Sequence, residues 1–359
     1  MRLKSRNRPR GHSQHGRILG LRRCTQYHRS IDTCRWGIDD GIDYAVPQSF
    51  EFSDRCLEVY YCPILEECCL SKIFPQDHLI EVNGIQLHYH DWGGDGRGIF
   101  LLHGLASHAG IWDLVAPQIA THYRVVALDL RGHGSSSKPN HGYDFDTIAS
   151  DVNTIRRKLQ LDLPVIVGHS WGGNVALHCA VSEPTYFSGV VMVDGGFIEP
   201  SSRQGWTWEL AQQEMSPPSF NKLTLGSLKQ RISEGALKPF WTPEIERIIM
   251  NNFYLDDEGF AHPHLSRDNH MRIVRSLWDH KPFELMPRLT LPALVLAARG
   301  LAPGTRLDKT KKHMVQRAER FLPDGSVIWM EDTIHDVPLQ RPHLLANIIR
   351  TFASSLDIQ

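Results

Sequence analysis

Cysteine is scarce where this chain carries its most patterned sequence. Six of the seven cysteines (Cys24, Cys34, Cys56, Cys62, Cys68 and Cys69) precede residue 70, and only Cys179 lies beyond it. No two are spaced Cys-x-x-Cys, and the adjacent pair Cys68-Cys69 is poorly placed to chelate one ion. A zinc site is therefore not expected there, even with His12, His15 and His28 nearby, and free thiols in a reducing compartment are. Long apolar runs are missing as well: no stretch approaches the ~20 residues of a membrane span. The N-terminus lacks the charged, apolar and small-residue succession of a secretory signal. An excess of charge is also absent. With 39 Lys and Arg against 40 Asp and Glu, the formal net charge is −1, which gives no electrostatic case for a nucleic-acid partner. A cytoplasmic globular protein is the expectation, and 359 residues, 41% of them hydrophobic, supply ample material for a core.

Residues 1–75 read as an N-terminal extension outside the folded domain. Through Arg35 there are ten Lys and Arg against one acid, Asp32, and then the sign reverses from Asp39 to Glu67. No helical or strand period runs through the segment, so a disordered extension, or upstream sequence translated from a misassigned start, is preferred. The rival readings are a nucleic-acid arm and an organelle transit peptide.

From residue 76 the pattern changes. His78–Val82 and Ile85–His90 alternate on either side of Asn83-Gly84, a hairpin signal. His88 and His90 share one face of that strand, as two metal ligands would; a solvent face is the commoner setting, and no metal is expected. Gly98–Leu102, Tyr123–Leu128, Val165–Val167, Gly189–Val193, Leu294–Ala298 and Ser326–Met330 read as buried strands. Between them, Ile111–His122 reads as a helix. Phe145, Ile148, Val152, Ile155 and Leu159, at spacings of three and four, predict an amphipathic helix, and Lys309–Phe321 a basic one. Leu344, Leu345, Ile348, Ile349 and Phe352 mark a closing helix. Strands alternating with helices imply a mostly parallel sheet covered on both faces. Residues 197–285 interrupt that alternation with a helical cap insertion carrying Trp206, Trp208, Trp241 and Trp278, and its aromatic content favours an apolar pocket at the carboxyl edge of the sheet. The core is then 76–196 and 286–359.

One stretch carries chemistry. Val165–Val167 runs into Gly168-His169-Ser170-Trp171-Gly172-Gly173 and then into a helix-forming segment, the strand–turn–helix context in which Gly-x-Ser-x-Gly has meaning. A side chain at 168 or 172 would meet the crossing backbone of so tight a turn. Together with His103-Gly104-Leu105-Ala106-Ser107, Asp129–Ser135 and Asp332–Asp336, in that order, this segment makes residues 76–359 resemble a serine-nucleophile α/β-hydrolase of the esterase and lactonase kind.

The resemblance implies Ser170 as nucleophile and His335, on the loop after the last strand, as its base. It implies the backbone N–H groups of Leu105 and Trp171 as the donors that receive the developing oxyanion. The family's usual acid, after the seventh strand, is missing: the turn there reads Ala297-Ala298-Arg299-Gly300-Leu301-Ala302-Pro303. Asp308 is the first carboxylate downstream, where capping a helix explains it. A minority of the family carries the acid after the sixth strand, and Asp194 stands there, so Asp194 is preferred to Asp308. The resemblance assigns Asp129, Arg131 and His133 to a structural turn.

The implied activity is cofactor-independent hydrolysis of a small apolar carboxylic ester, or a lactone, through an acyl-enzyme. A serine at the elbow argues against dehalogenase or epoxide hydrolase chemistry, in which a carboxylate attacks carbon. Carbon–carbon bond hydrolases, amidases and cofactor-free oxygenases share the frame. A ligand sensor with little turnover is the alternative from another class.

Overall fold

A computed structural model describes residues 73–300 and 302–356. The expectations for the charge-segregated N-terminal stretch and its six cysteines fall at or before residue 72, outside the described residues. Asn83 and Gly84 adopt positive φ, 50° and 78°, as a two-residue hairpin turn demands, and join β1 (Gln76–Val82) to β2 (Ile85–Gly93) antiparallel. There follow β3 (Gly98–Leu102), β4 (Arg124–Leu128), helix α1 (Phe145–Lys158), β5 (Val165–His169), α2 (Trp171–Ser182) and β6 (Gly189–Val193).

The segment between β6 and the next sheet strand holds α3 (Trp208–Glu214), α4 (Leu225–Ser233), α5 (Pro243–Met250), a small hairpin of β7 (Phe253–Leu255) and β8 (Ala261–Pro263), and α6 (Arg267–Asp279). The hairpin was not anticipated in a helical insertion. Its local cause is Asp256, whose Oδ1 accepts from the N–H groups of Glu258 at 3.0 Å and Phe260 at 2.8 Å and so folds the turn between two β-favouring runs. The chain then returns through β9 (Ala293–Arg299), α7 (Arg306–Phe321), β10 (Gly325–Glu331) and α8 (Pro342–Ser355).

The eight-stranded sheet has the order β1-β2-β4-β3-β5-β6-β9-β10, parallel from β4 to β10 and antiparallel only at β1–β2 and β2–β4. Residue parity sorts its two faces. Phe100, Leu102, Val126, Leu128, Val190, Met192 and Val295 share one apolar cluster with Ile148, Val152 and Ile155 of α1. Ile99, Leu101, Val125, Ala127, Val191, Val193 and Leu294 share the other with Leu345 and Ile349 of α8. A strand buried on both faces needs apolar residues at every position, which is why these strands read as continuous runs rather than alternations. The stripe predicted for α1 is buried as expected, and Asp144 caps the helix by accepting from the N–H of Thr147.

Two expectations need correction. Ile111–His122 is not one helix. A 3₁₀ turn at Ala109–Trp112 and a single turn at Ala116–Ile119 take its place, because Pro117 has no N–H with which to continue a ladder. His88 and His90 do not lie on an open face. β2 is an interior strand between β1 and β4, and His88, whose N–H donates to Ser136 Oγ at 2.8 Å, is only 8% exposed. Among the described residues, no helix is long and apolar enough to cross a membrane.

The order β4-β3-β5 places a topological switch between β3 and β5. From β3 the chain steps one way to β4, then crosses to the other side for β5. Crevices of open α/β sheets form beyond the carboxyl ends of strands at such a point.

Candidate active site

β5 ends at His169, and Ser170 turns the chain into α2 with φ 55° and ψ −124°, a strained conformation for a residue with a Cβ. The bend is held by the N–H of Ser170, which donates to Val193 O on β6 at 2.8 Å. A Cβ at Gly168 would lie 2.0 Å from Gly172 O, and one at Gly172 would lie 2.4 Å from His103 O, so the crossing backbone does forbid side chains there. Gly195, on the β6 exit, is as tightly placed: its Cβ would fall 2.0 Å from Ser170 O.

Because β6 is the parallel neighbour of β5, with His169 opposite Val193, Asp194 begins one residue beyond the shared edge. It too adopts positive φ, 45°. Its N–H donates to Leu296 O at 2.6 Å, and Oδ1 accepts from the N–H of Ala298 at 2.9 Å, so β9 fixes the carboxylate in place. The loop after β10 brings in His335. Its Nδ1 lies 2.6 Å from Asp194 Oδ2 and its Nε2 2.9 Å from Ser170 Oγ. Since a carboxylate can only accept, Nδ1 carries the proton and Nε2 is free to accept from the serine hydroxyl. The three residues predicted to act together are adjacent in space and linked in that order.

The alternative acid is elsewhere. Asp308 stands in the first turn of α7, whose N-cap is Thr305 rather than Asp308 itself. Its Oδ2 accepts from the N–H of Gly304 at 2.8 Å and pairs with Lys312 at 2.8 Å.

Sequence reasoning missed Lys311. Its ammonium lies 2.6 Å from Asp194 Oδ1 and 2.8 Å from Oδ2, with the carboxylate almost fully enclosed. Burial alone would raise the pKa of Asp194; the hydrogen bond and charge of His335, together with Lys311, outweigh it and hold the carboxyl below its ordinary value. A signal for Lys311 was present. It falls at the spacing of Asp308, Val315 and Ala318, the buried stripe of α7, so it was a cation on the face turned to the sheet.

Three histidines act as clamps. His169 Nε2 donates to His335 O at 2.8 Å, which fixes the loop behind the imidazole. His103 Nδ1 donates to Gly104 O at 2.7 Å while its Nε2 accepts from the N–H of Leu130 at 3.0 Å. His133 Nδ1 donates to Arg131 O at 3.0 Å while its Nε2 accepts from the N–H of Ala106 at 3.3 Å. Each is buried; His103 and His133 are used as donor and acceptor in the neutral form, and His169 as a donor through Nε2. Burial lowers the pKa of His103 to about 4 and of His169 to about 3, and that of His133 also falls well below the ordinary value.

Asp129 braces the same region, with Oδ1 accepting from the N–H of Ala109 at 2.6 Å and Oδ2 from that of Ser135 at 2.8 Å. The segment 129–135 thus holds the loop after β3, where Leu105 sits, against the elbow, where Trp171 opens α2. The N–H of a first helical residue has no intrahelical acceptor.

A cavity of about 930 Å³ adjoins that loop at Ala106 and Ser107 and runs beneath Phe220, Phe253, Tyr254 and Leu265. Its lining includes neither Ser170 nor His335, nor any of the four insertion tryptophans, and Trp208 packs on Trp278 at 6.0 Å between ring centroids.

Comparison with known proteins places the chain in context. A family model described as "alpha/beta hydrolase fold" matches residues 99–231. Soluble epoxide hydrolase of Corynebacterium sp. (strain C12) is 40% identical over 103 residues, 29% of this chain and 36% of that protein. The chain spans about a third to a half of the length of the curated relatives it matches. Among solved structures, E-2-(acetamidomethylene)succinate hydrolase superposes with TM-score 0.64 at 18% identity, over 78% of this chain and 99% of that one. The enol-lactonase from Burkholderia xenovorans LB400 superposes with TM-score 0.59 at 17% identity, over 77% and 100%. At such identities the likeness is one of fold.

Proposed function

We propose that this chain, which has the α/β-hydrolase fold and matches that fold's family model over residues 99–231, is a serine hydrolase that cleaves a small apolar carboxylic ester, with a lactone as the cyclic variant. The observation that carries this reading is the chain of contacts from Ser170 Oγ through His335 to Asp194, at 2.9 and 2.6 Å. A serine hydroxyl is a poor nucleophile until a base takes its proton. In the proposed cycle, Ser170 Oγ attacks the ester carbonyl carbon as its proton passes to His335 Nε2, and Asp194 stabilises the imidazolium. The carbonyl oxygen, now negative, receives the N–H groups of Leu105 and Trp171; the neighbouring amide of Ala106 is engaged by His133. Collapse breaks the ester C–O bond, and His335 returns its proton to the departing alkoxide. Water, deprotonated by the same imidazole, then attacks the acyl-serine and releases the acid. In this reading residues 197–285 act as a cap over the core of 76–196 and 286–359, and the cavity beneath them receives the acyl or alcohol group.

The decisive experiment uses a fluorophosphonate probe on the full chain. The native protein is expected to be labelled and the folded Ser170→Ala variant not. Native protein that stays unlabelled while folded would point instead to a ligand-binding module without turnover.

The pH dependence follows from His335. Burial pushes its pKa down, but the hydrogen bond and charge of Asp194, with Asp336 beside it, outweigh burial and the opposing Lys311, so it lies above 6.5. The base must be neutral to act. Hence kcat/KM is expected to fall tenfold per unit as pH drops below a midpoint above 6.5. An acid limb centred below 6.5 would contradict the assignment.

A further inference from the structure

The hairpin that opens the sheet carries a second cluster that the proposed reaction does not use. In the register of β1 and β2, Asp77 is directly opposite His90, and His88 lies two residues away on the same face. Asp77 Oδ1 is 3.1 Å from His88 Nε2 and 3.1 Å from His90 Nε2, and the two rings stand edge to face with centroids 5.2 Å apart. Tetrahedral zinc, with bonds of about 2.0–2.1 Å, separates its ligand atoms by roughly 3.3 Å. The spacing from the carboxylate oxygen to each imidazole nitrogen is therefore already close to that of a coordination sphere.

The outer contacts point the same way. His88 Nδ1 lies 2.8 Å from Asp129 Oδ2, and His90 Nδ1 faces Asp113 Oδ1 at 3.5 Å. Each imidazole thus has a carboxylate behind it, the arrangement that orients a ligating histidine and strengthens it as a donor. The contact behind His90 is loose: both His90 Nδ1 and Asp113 Oδ1 are buried without a hydrogen-bond partner. A cation on Nε2 would polarise the Nδ1–H and close that gap. Three carboxylates, Asp77, Asp113 and Asp129, surround the two imidazoles; Arg247 pairs with Asp113 Oδ2 at 2.9 Å, and the negative charge that remains suits a divalent cation. Two nitrogens and one oxygen favour zinc over the hard cations, which prefer oxygen. The Asp77 side chain is 70% exposed, so the fourth position opens to solvent.

We propose that Asp77, His88 and His90 form a zinc site that clips the first strand of the sheet onto the second, with Asp129 and Asp113 as the outer carboxylates. Asp129 also braces the loop after β3, so the clip shares a support with the candidate active site without entering it.

The test is titration of metal-stripped full-length protein with zinc chloride, followed by calorimetry and by the thermal unfolding midpoint. One tight equivalent and an upward shift of the midpoint are expected. Asp77→Asn keeps an oxygen that can accept from the two imidazoles, so its melting without metal should stay close to that of the native protein while the tight equivalent is lost. Asp113→Asn removes only an outer carboxylate and is expected to weaken binding by about 10- to 100-fold. Because histidines and cysteines elsewhere in the chain can also bind zinc, the variants decide the matter. A tight equivalent that persists in the Asp77→Asn/His90→Ala double variant, or its absence from the native protein, would overturn the site.

Discussion

Replacing Asp194 by Asn is expected to lower kcat by about 10⁴-fold, some 5.5 kcal/mol of barrier, while Asp308→Asn leaves it unchanged. The asymmetry follows from position. Asp194 Oδ2 is the acceptor for His335 Nδ1–H, whereas Asp308 is turned to Gly304 and Lys312. An amide at 194 removes the charge that offsets the imidazolium and allows its NH₂ group to face the ring, so that the proton moves to Nε2 and the base is blocked. The same change leaves the Lys311 ammonium without its counter-charge, so stability should fall as well. Turnover with a graded set of aryl esters and lactones, beside thermal unfolding, separates the two effects. A large loss in Asp308→Asn with activity kept in Asp194→Asn would mean that the acid had been misassigned.

A second large effect is expected on stability. Arg131 Nε donates to Asp151 Oδ2 at 2.6 Å, with both side chains at least 96% buried, and Asp151 Oδ1 accepts from Asn83 Nδ2 at 2.9 Å. Asp151→Ala strands a guanidinium in the interior and is expected to cost about 3–5 kcal/mol of stability. The paired replacement Arg131→Met/Asp151→Leu should recover much of that loss, because no uncompensated charge remains. Urea unfolding of the native, single and double variants checks both statements. A single variant that unfolds with the native protein would show that Arg131 finds another partner.

The elements most legible from sequence were those whose pattern is set by burial on two faces. Val165–His169 and Gly189–Val193 could be read as buried strands because every position packs, and α1 because Phe145, Ile148, Val152 and Ile155 recur at helical spacing. Ser170, His335 and Asp194 could be named because the segments around them resemble those of serine-nucleophile α/β-hydrolases, which implies their roles. Lys311 was missed because a lysine in a run of basic residues reads as solvent-facing, although its spacing to Val315 and Ala318 puts it on the buried stripe of α7. The helix expected over Ile111–His122 failed because one proline outweighed an apolar stripe. The face of His88 was misjudged because what covers it, the segment carrying Asp129 and Ser136, comes from elsewhere in the chain, which alternation along one strand does not encode.

The seam where Gly172 meets His103 and Gly195 meets Ser170 has a bearing on how such a protein can diverge. Backbone there touches backbone, with no room for a single methyl group, so most substitutions that would reshape the reacting centre are denied to drift. In the proposed reading, new preferences for what is cleaved would arise instead around the cavity, from residues such as Phe220, Phe253 and Tyr254, which lie away from that seam.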